Sequence, residues 1–409
     1  MTHRKTLSIS FCAAVATLYV AGRSQDWIIR HFQDSHSKHD VPEALRRAKA
    51  LGLLKSPELD QGVCKQHGIS ADHINAILMG CKLSAGLKKY STSLRNIDII
   101  YPGGSCNAND FDGRLREFSH NASKALTEII VDANPKLIGI SWGATPWAAI
   151  EQISPERFGS KSDDIAVFPV CGFPLQRASS NRVASDNAAH LHFAINGPDQ
   201  PFAYSIPMVP ALIPMGAKPQ FLSLFEKYSP GYKEIFGTGP IGMRSGGHVD
   251  RADMIITSVS AQNAMGTLFD AEVADWAGLG SYSELRSRVD GDIGGVLLRK
   301  RSGIDPLLDQ FDEHWTGITR SALEGCARRA ASRHMSAAGV CVVAIGANKA
   351  AMILKCLLTP HDCPSDDTQQ EAGSGLITNL ICDEPLATEL LKLASAMGIK
   401  FASPGDELA

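Results

Sequence analysis

Two short stretches of this chain have the residue types and spacing to hold an anion. One is Leu137-Ile138-Gly139-Ile140-Ser141-Trp142-Gly143-Ala144-Thr145-Pro146. Leu137 to Ile140 is a short apolar run, as expected of a parallel strand covered on both faces. Gly143 lacks a Cβ and can take backbone angles that other residues resist. Pro146 suits the first turn of a helix, where its missing N–H has no partner to lose. A strand that feeds a helix through small residues aims backbone N–H groups at one point, and the helix dipole adds attraction for negative charge there. Gly143, Ala144 and Thr145 are therefore candidate anion-binding residues. The same residues also fit an ordinary strand–helix junction, because glycine turns open many helices that bind nothing.

The other stretch runs from Cys341 to Lys349. Cys341 to Ile345 is apolar, Gly346 turns the chain, and Lys349 falls in the first turn of the next helix. A cation at that place is mildly unfavourable to the helix dipole. It becomes sensible if an anion sits between the two, and the alternative is a solvated surface lysine.

Little else in the chain suggests chemistry. There is no P-loop, no G-x-G-x-x-G and no Ser/His/Asp arrangement in a supporting context. His190 and His192 are two apart, so on a helix they point apart rather than forming a metal pair. His31, His36 and His39 lack cysteine or carboxylate ligands at fixed spacing. No metal or cofactor is expected. The ten cysteines contain no C-x-x-C pair. Cys341 and Cys382 lie in apolar runs, where a free cysteine acts as a small core residue. A reduced, cytoplasmic protein is the expectation. No apolar run is long enough to span a membrane. Residues 1–22 start basic (His3, Arg4, Lys5) and then turn apolar, which resembles a secretory signal. Ser8, Ser10, Thr17 and Tyr19 interrupt that run and argue against export.

The elements that must position these residues alternate. At 409 residues, 44% hydrophobic and 20% charged, the chain has the make-up of a globular protein of about two domains. Strand-like runs are Ile97–Tyr101, Leu137–Ser141, Ile165–Val170, Phe202–Met208, Met254–Val259, Val340–Ile345 and Leu376–Cys382. Helix-like runs between them include Leu115–Val131, Ala347–Leu358 and Pro385–Met397. This alternation predicts an α/β fold, a doubly wound and mostly parallel sheet with helices on both faces. Ligands of such sheets bind at the carboxyl ends of strands. That rule gathers Gly143-Ala144-Thr145, Cys171-Gly172-Phe173, Asp292 beside Gly294-Gly295, and Gly346 to Lys349. Residues 299–336 and 360–375 read as polar surface loops.

The amino-terminal part reads differently. Residues 11–22, 25–32 and 40–51 form three short helical patterns, the third with Val41, Ala44, Leu45 and Ala48 on one stripe. Three short helices with a charged face on the last are the outline of a helix-turn-helix, whose final helix enters the major groove of DNA. Lys38, His39, Glu43, Arg46 and Arg47 would then meet bases or phosphates. A helical bundle with a solvated charged face is the alternative. Residues 1–60 hold nine Lys and Arg against six Asp and Glu, within a chain of net charge −3. The expected division is a helix-turn-helix domain over 1–60, a helical linker over 61–95, and an α/β domain over 96–409.

The order of pieces resembles the SorC-type family of sugar-responsive bacterial transcriptional regulators. The head is similar through A-A-V-A-T-L-Y-V-A-G-R-S-Q-D-W-I-I-R-H-F and E-A-L-R-R-A-K-A-L-G-L-L. The body is similar through G-I-S-W-G-A-T (Gly139–Thr145), V-F-P-V-C-G (Val167–Gly172), A-D-M-I-I-T (Ala252–Thr257), G-D-I-G-G (Gly291–Gly295), V-A-I-G-A-N-K (Val343–Lys349) and L-I-C-D-E-P-L-A (Leu380–Ala387). The resemblance implies operator DNA as partner, a sugar or sugar-phosphate effector, and a homo-oligomer, dimer or tetramer. It implies that Gly143, Ala144, Thr145 and Lys349 hold the effector's phosphate. It makes Asp292 an acceptor for sugar hydroxyls, and Cys171, Gly172 and Phe173 a pocket wall. The chain departs from the family where Ala144 replaces a hydroxyl residue and Cys171 a basic one, so an unphosphorylated ligand stays open. The alternative to a regulator is a sugar-phosphate isomerase or deaminase with an accessory helical head, with Asp292 as its one candidate base. An exported sugar-binding protein is a third reading, carried by residues 1–22 alone.

Overall fold

The central apolar strand runs line up as one sheet because they are buried on both faces. A computed structural model describes residues 7–20, 25–32, 36–37, 39–51, 53–55, 58–59, 71–91, 93–101, 111–158, 165–173, 183–202, 204, 209–214, 224, 227–240, 243–261, 282–300, 304–332, 337–358 and 375–401.

The head comes first. Helices α1 (Ile9–Val20), α2 (Gln25–Phe32) and α3 (Asp40–Ala50) are followed by a short antiparallel pair, β1 (Leu54–Lys55) and β2 (Glu58–Leu59). Phe11, Cys12, Val15, Ala16 and Leu18 of α1 meet Ile28, Val41, Ala44, Leu45 and Ala48 in one small core. The apolar stretch near the start of the chain is thus the centre of this head. Gly22, Ser24 and Lys38 lie outside the described residues. Of the helical linker expected over 61–95, α4 (Ala71–Leu87) is helix and residues 88–91 and 93–95 are turn and loop, while 61–70 and 92 lie outside the described residues. Ile74, Leu78 and Cys81 of α4 pack against the head, and Leu83 and Leu87 enter the core of the body.

The body is a six-stranded, all-parallel sheet. Its strands are β3 (Asn96–Ile100), β4 (Leu137–Ile140), β5 (Ala166–Pro169), β6 (Met254–Thr257), β10 (Gly339–Ala344) and β11 (Asn379–Asp383), in the spatial order β3-β11-β10-β6-β4-β5. Helices α5 (Phe111–Ala133), α6 (Ala144–Glu151) and α7 (Ala184–Asn196) cover one face. The opposite face is covered by α4, α12 (Arg320–Ala331), α13 (Ala350–Leu357) and α14 (Glu384–Ala396). Short helices α8 (Pro230–Phe236) and α9 (His248–Arg251) precede β6. The chain leaves β4 toward the β5 edge and leaves β6 toward β10. The winding therefore reverses between β4 and β6, and their carboxyl ends frame a crevice.

Several sequence expectations need correction. Met254–Val259 is not one strand: the parallel sheet stops at Thr257, and β7 (Val259–Ala261) joins a separate antiparallel sheet with β8 (Val289–Ile293) and β9 (Val296–Arg299). Residues 299–336 are not simply surface loop. Alongside α12 they hold α11 (Pro306–His314), capped by Asp305, which accepts N–H groups of Leu307 and Leu308; Thr319 caps α12 in the same way. Leu323, Cys326, Ala327 and Ala330 bury one face of α12; Arg320 and Arg328 are exposed, and half-buried Arg329 donates to the Ala252 carbonyl at 2.8 Å. The run expected as a strand over 202–208 has no strand at Phe202 or Tyr204, and 203 and 205–208 lie outside the described residues.

The small sheet sits over the carboxyl ends of β4 and β5. With α10 (Tyr282–Arg288) and α11 it encloses a third core of Trp142, Cys171, Leu212, Leu297, Phe311 and Trp315.

Candidate functional site

The crevice is built by the turns at the carboxyl ends of the strands. After β4, Ser141 and Trp142 are buried, and Gly143 takes φ +130° as it caps α6. The Ser141 hydroxyl donates to Thr257 Oγ1 at 2.9 Å, which ties the ends of β4 and β6 together. Gly294 N–H donates to the Ser258 carbonyl at 3.2 Å, which brings the β8–β9 turn down onto the same spot. The Trp315 ring covers Gly295 and meets Trp142 edge-on, with centroids 5.6 Å apart. The first N–H groups of α6 have no partner within their own helix.

Two opposite charges face each other here. Asp292 is 4% exposed and accepts the Gly295 N–H at 2.9 Å. Burial pushes its carboxyl up to about 6, against the Gly295 and Ser260 hydrogen bonds and the attraction of Lys349. Lys349 ends a 3-10 turn, Ala347–Lys349, that β7 packs against. Burial pulls its ammonium down to about 8, against attraction by Asp383 and Asp292. At neutral pH both groups are mostly ionised. An incoming anion would gain the lysine's charge, and hydroxyl groups beside it would find the aspartate as acceptor.

Gly143 thus follows β4 and Lys349 follows β10, with β6 between these strands, and Asp292 is brought against Lys349 by β8 of the small sheet. Other members of the expected set lie differently. Thr145 is buried under the first turn of α6. Cys171 is enclosed with Trp142 and Trp315, where burial raises its thiol far above the ordinary value. Gly172 packs against the backbone of Val209 and Pro210. Phe173 is exposed and bridges to Pro210, donating its N–H to Val209 at 2.6 Å. His190 meets the Trp147 ring, while His192 is held by Asn196 and the Gln200 carbonyl. Among the described residues no three His, Cys, Asp or Glu side chains gather as a metal site.

Sequence reasoning missed four residues of this region. Buried Asp383, whose charge acts on Lys349, forms an ion pair at 2.8 Å with half-buried Arg114. The D-E-P run was a legible helix-cap signal for Asp383, whereas nothing local marks Arg114 as its partner. Ser258 and Trp315 line the site through contacts across long sequence separations and carry no motif.

On the head, His39 and Arg46 are exposed, and Arg46 pairs with Glu43. Arg47 donates to the Leu7 carbonyl at 2.5 Å and so ties α3 to the start of α1.

No family model matches the chain, and no curated protein matches it. Solved structures do. A DeoR family transcriptional regulator from Listeria monocytogenes is 16% identical, with 77% of this chain and 99% of that chain covered and a TM-score of 0.49. A transcriptional regulator from Streptococcus pneumoniae is 15% identical, covering 77% and 97%, with a TM-score of 0.48. The full-length sorbitol operon regulator SorC from Klebsiella pneumoniae is 16% identical, covering 94% of this chain and 99% of that chain, with a TM-score of 0.50. Over most of its length the chain is therefore similar in fold to that regulator.

Proposed function

We propose that the chain is a DNA-binding transcriptional regulator whose operator affinity is set by a sugar or sugar-phosphate effector. The observation that carries this is the meeting of Lys349, Asp292 and the Gly143 turn at the crevice between β4, β6 and β10. A cation beside a helix N-terminus suits a phosphate or another anionic group. A buried carboxylate beside it suits sugar hydroxyls. The fold shared with the sorbitol operon regulator supports this reading, since the crevice lies in a chain that also carries a helical head.

The head would meet DNA through α3, with His39 and Arg46 as its exposed candidates and Lys38 before them. Heads act in pairs on half-sites about one helical turn apart, so the working form is a homo-oligomer, a dimer or tetramer. It would act in the cytoplasm, where operator DNA is; among the described residues no helix is long and apolar enough to cross a membrane. The effector shifts DNA affinity by preferring one arrangement of the oligomer, and the operator must by linkage shift effector affinity equally.

Asp292 also keeps an enzyme in view, since a carboxyl near 6 suits a general base. One experiment separates the two. Fluorescence anisotropy of full-length protein on labelled DNA from its own upstream region, across a salt series, reads operator binding. Addition of sugars and sugar phosphates to the complex, with turnover of the same compounds followed in parallel, reads the effector. Salt-dependent binding that one compound shifts without consuming it supports the regulator. Turnover with only non-specific DNA binding sinks it. Deleting residues 1–60 would expose Ile74, Leu78 and Cys81, so Arg46→Ala is the better control; unchanged DNA affinity at every salt concentration would remove α3 from the interface.

A further inference from the structure

Asp383 ends β11 and is 2% exposed. A carboxylate so placed persists only where partners replace its water. Its Oδ1 accepts the Gly346 N–H at 3.0 Å and the Leu386 N–H at 3.2 Å, the second of which caps α14. Its Oδ2 accepts from Arg114 Nη2 of α5 at 2.8 Å. The ladder between β10 and β11 ends at Ala344 and Cys382. Beyond that point the Asp383 side chain supplies the next tie between the two strands, at the residue where the turn begins. Gly346 holds φ +98° there, and Lys349 comes three residues later and donates its own N–H to the Gly346 carbonyl.

The charged groups facing Lys349 come from several elements. Asp383 of β11 and Asp292 of β8 attract it. Arg114 of α5 reaches it through Asp383. Further out, Tyr101 at the end of β3 faces Asp72 of α4 and Glu384 of α14.

We propose that Asp383 is a positioning residue of the anion site, its side chain fixing the turn that aims Lys349 while Arg114 holds that side chain in place. This rests on the reading of Lys349 as the residue that meets the effector's negative charge. Asp383 itself touches no ligand. It acts through the Gly346 N–H and through its charge, which keeps the half-buried lysine protonated.

Two substitutions separate this role from simple packing. Asp383→Asn keeps an oxygen for Gly346 and Leu386 and remains a good helix cap, but drops the charge. Arg114→Gln keeps Asp383 and removes both its competing partner and a positive charge near Lys349. In the full-length protein, acetylation of Lys349 by acetic anhydride, followed by mass spectrometry across a pH series, reports the lysine's midpoint with no ligand present. The wild-type midpoint is expected at about 8. Asp383→Asn should lower it by roughly one unit or more, and Arg114→Gln should raise it. Damage to packing alone would move both the same way. Inorganic phosphate, titrated against tryptophan fluorescence near the wild-type midpoint, should bind Asp383→Asn at least roughly fivefold more weakly than wild type.

Unchanged midpoints, or shifts of the same sign in both variants, overturn the proposal. If Asp383→Asn does not fold, the upward shift in Arg114→Gln decides alone, and its absence overturns the proposal too. Wild-type protein that ignores phosphate and sugar phosphates, yet shows the two opposite shifts, rejects Lys349 as an effector contact while supporting Asp383's hold on the turn.

Discussion

After β4 and after β10 the chain does the same thing: it turns on a glycine of positive φ, 130° at Gly143 and 98° at Gly346, and enters a helix. The two turns then diverge. Gly143 leads straight into α6, with Thr145 and Pro146 buried beneath it. A Cβ at Gly143 would come 2.8 Å from Ser258 Oγ and 3.3 Å from Pro146. Gly346 leads into a 3-10 turn whose Ala347 and Asn348 are exposed. A Cβ there would meet only Asn348 Oδ1, at 2.8 Å, within the same turn. One turn is shaped by packing and presents backbone; the other is fastened by an acid and presents a cation. Similar glycine turns can thus divide the work of holding an anion, one giving shape and N–H groups, the other charge.

Asp292 stands against both turns, and it gives the largest expected effect. Its folded carboxyl titrates at about 6, above the ordinary value near 3.8. The folded state therefore binds the proton more tightly than the unfolded chain does. Stability from this residue is full below the unfolded value and falls as pH rises through about 6, by roughly 3 kcal/mol in all. Asp292→Asn should flatten that fall, as read by urea unfolding at a series of pH values. An unaltered profile would mean that burial does not raise the Asp292 carboxyl.

Glycine substitutions test the comparison directly. Gly143→Ala should cost about 2–3 kcal/mol of folding stability, from backbone strain plus the clash with Ser258. Gly346→Ala, with strain alone and a side chain free to swing aside, should cost about 1–2 kcal/mol. Equal costs in thermal melting would erase the distinction between a packed turn and a fastened one. Lys349→Ala should weaken binding of the true effector by roughly 1.5–3 kcal/mol in calorimetry while leaving folding nearly intact. An affinity within a factor of two of wild type would take the charge away from this turn. Pro146→Ala should cost least, about 0.5 kcal/mol of stability through the freer unfolded chain, with effector affinity unchanged in the same titration.

Much of the sheet was legible because burial on both faces writes continuous apolar runs. Ile138, Ile140, Val167, Ile255, Val342 and Leu380 all sit inside such runs and inside the core. The antiparallel sheet escaped for a definite reason. Asp290, Gly291 and Asp292 break the apolar run of β8, although Gly294-Gly295 between two runs is a recognised hairpin signal. Met254–Val259 looked continuous because nothing in a single apolar run marks where a strand changes sheets. The arginines over 299–336 masked α12, whose buried spacing at Leu323, Cys326, Ala327 and Ala330 was readable. At the site, Gly143 and Lys349 announced themselves by position in a turn. Arg114 could not, since its partner lies 269 residues away.

The placement of α4 has a consequence for how the molecule comes apart. Ile74, Leu78 and Cys81 lean on the head while Leu83 and Leu87 lie in the body's core. A module on a slack tether melts by itself and leaves its neighbour untouched. Here, loosening the head bares apolar surface on a helix that the sheet also needs. Head and body are therefore expected to melt as one cooperative unit, with weakened packing at Val15 or Ala44 lowering the temperature at which the distant sheet gives way.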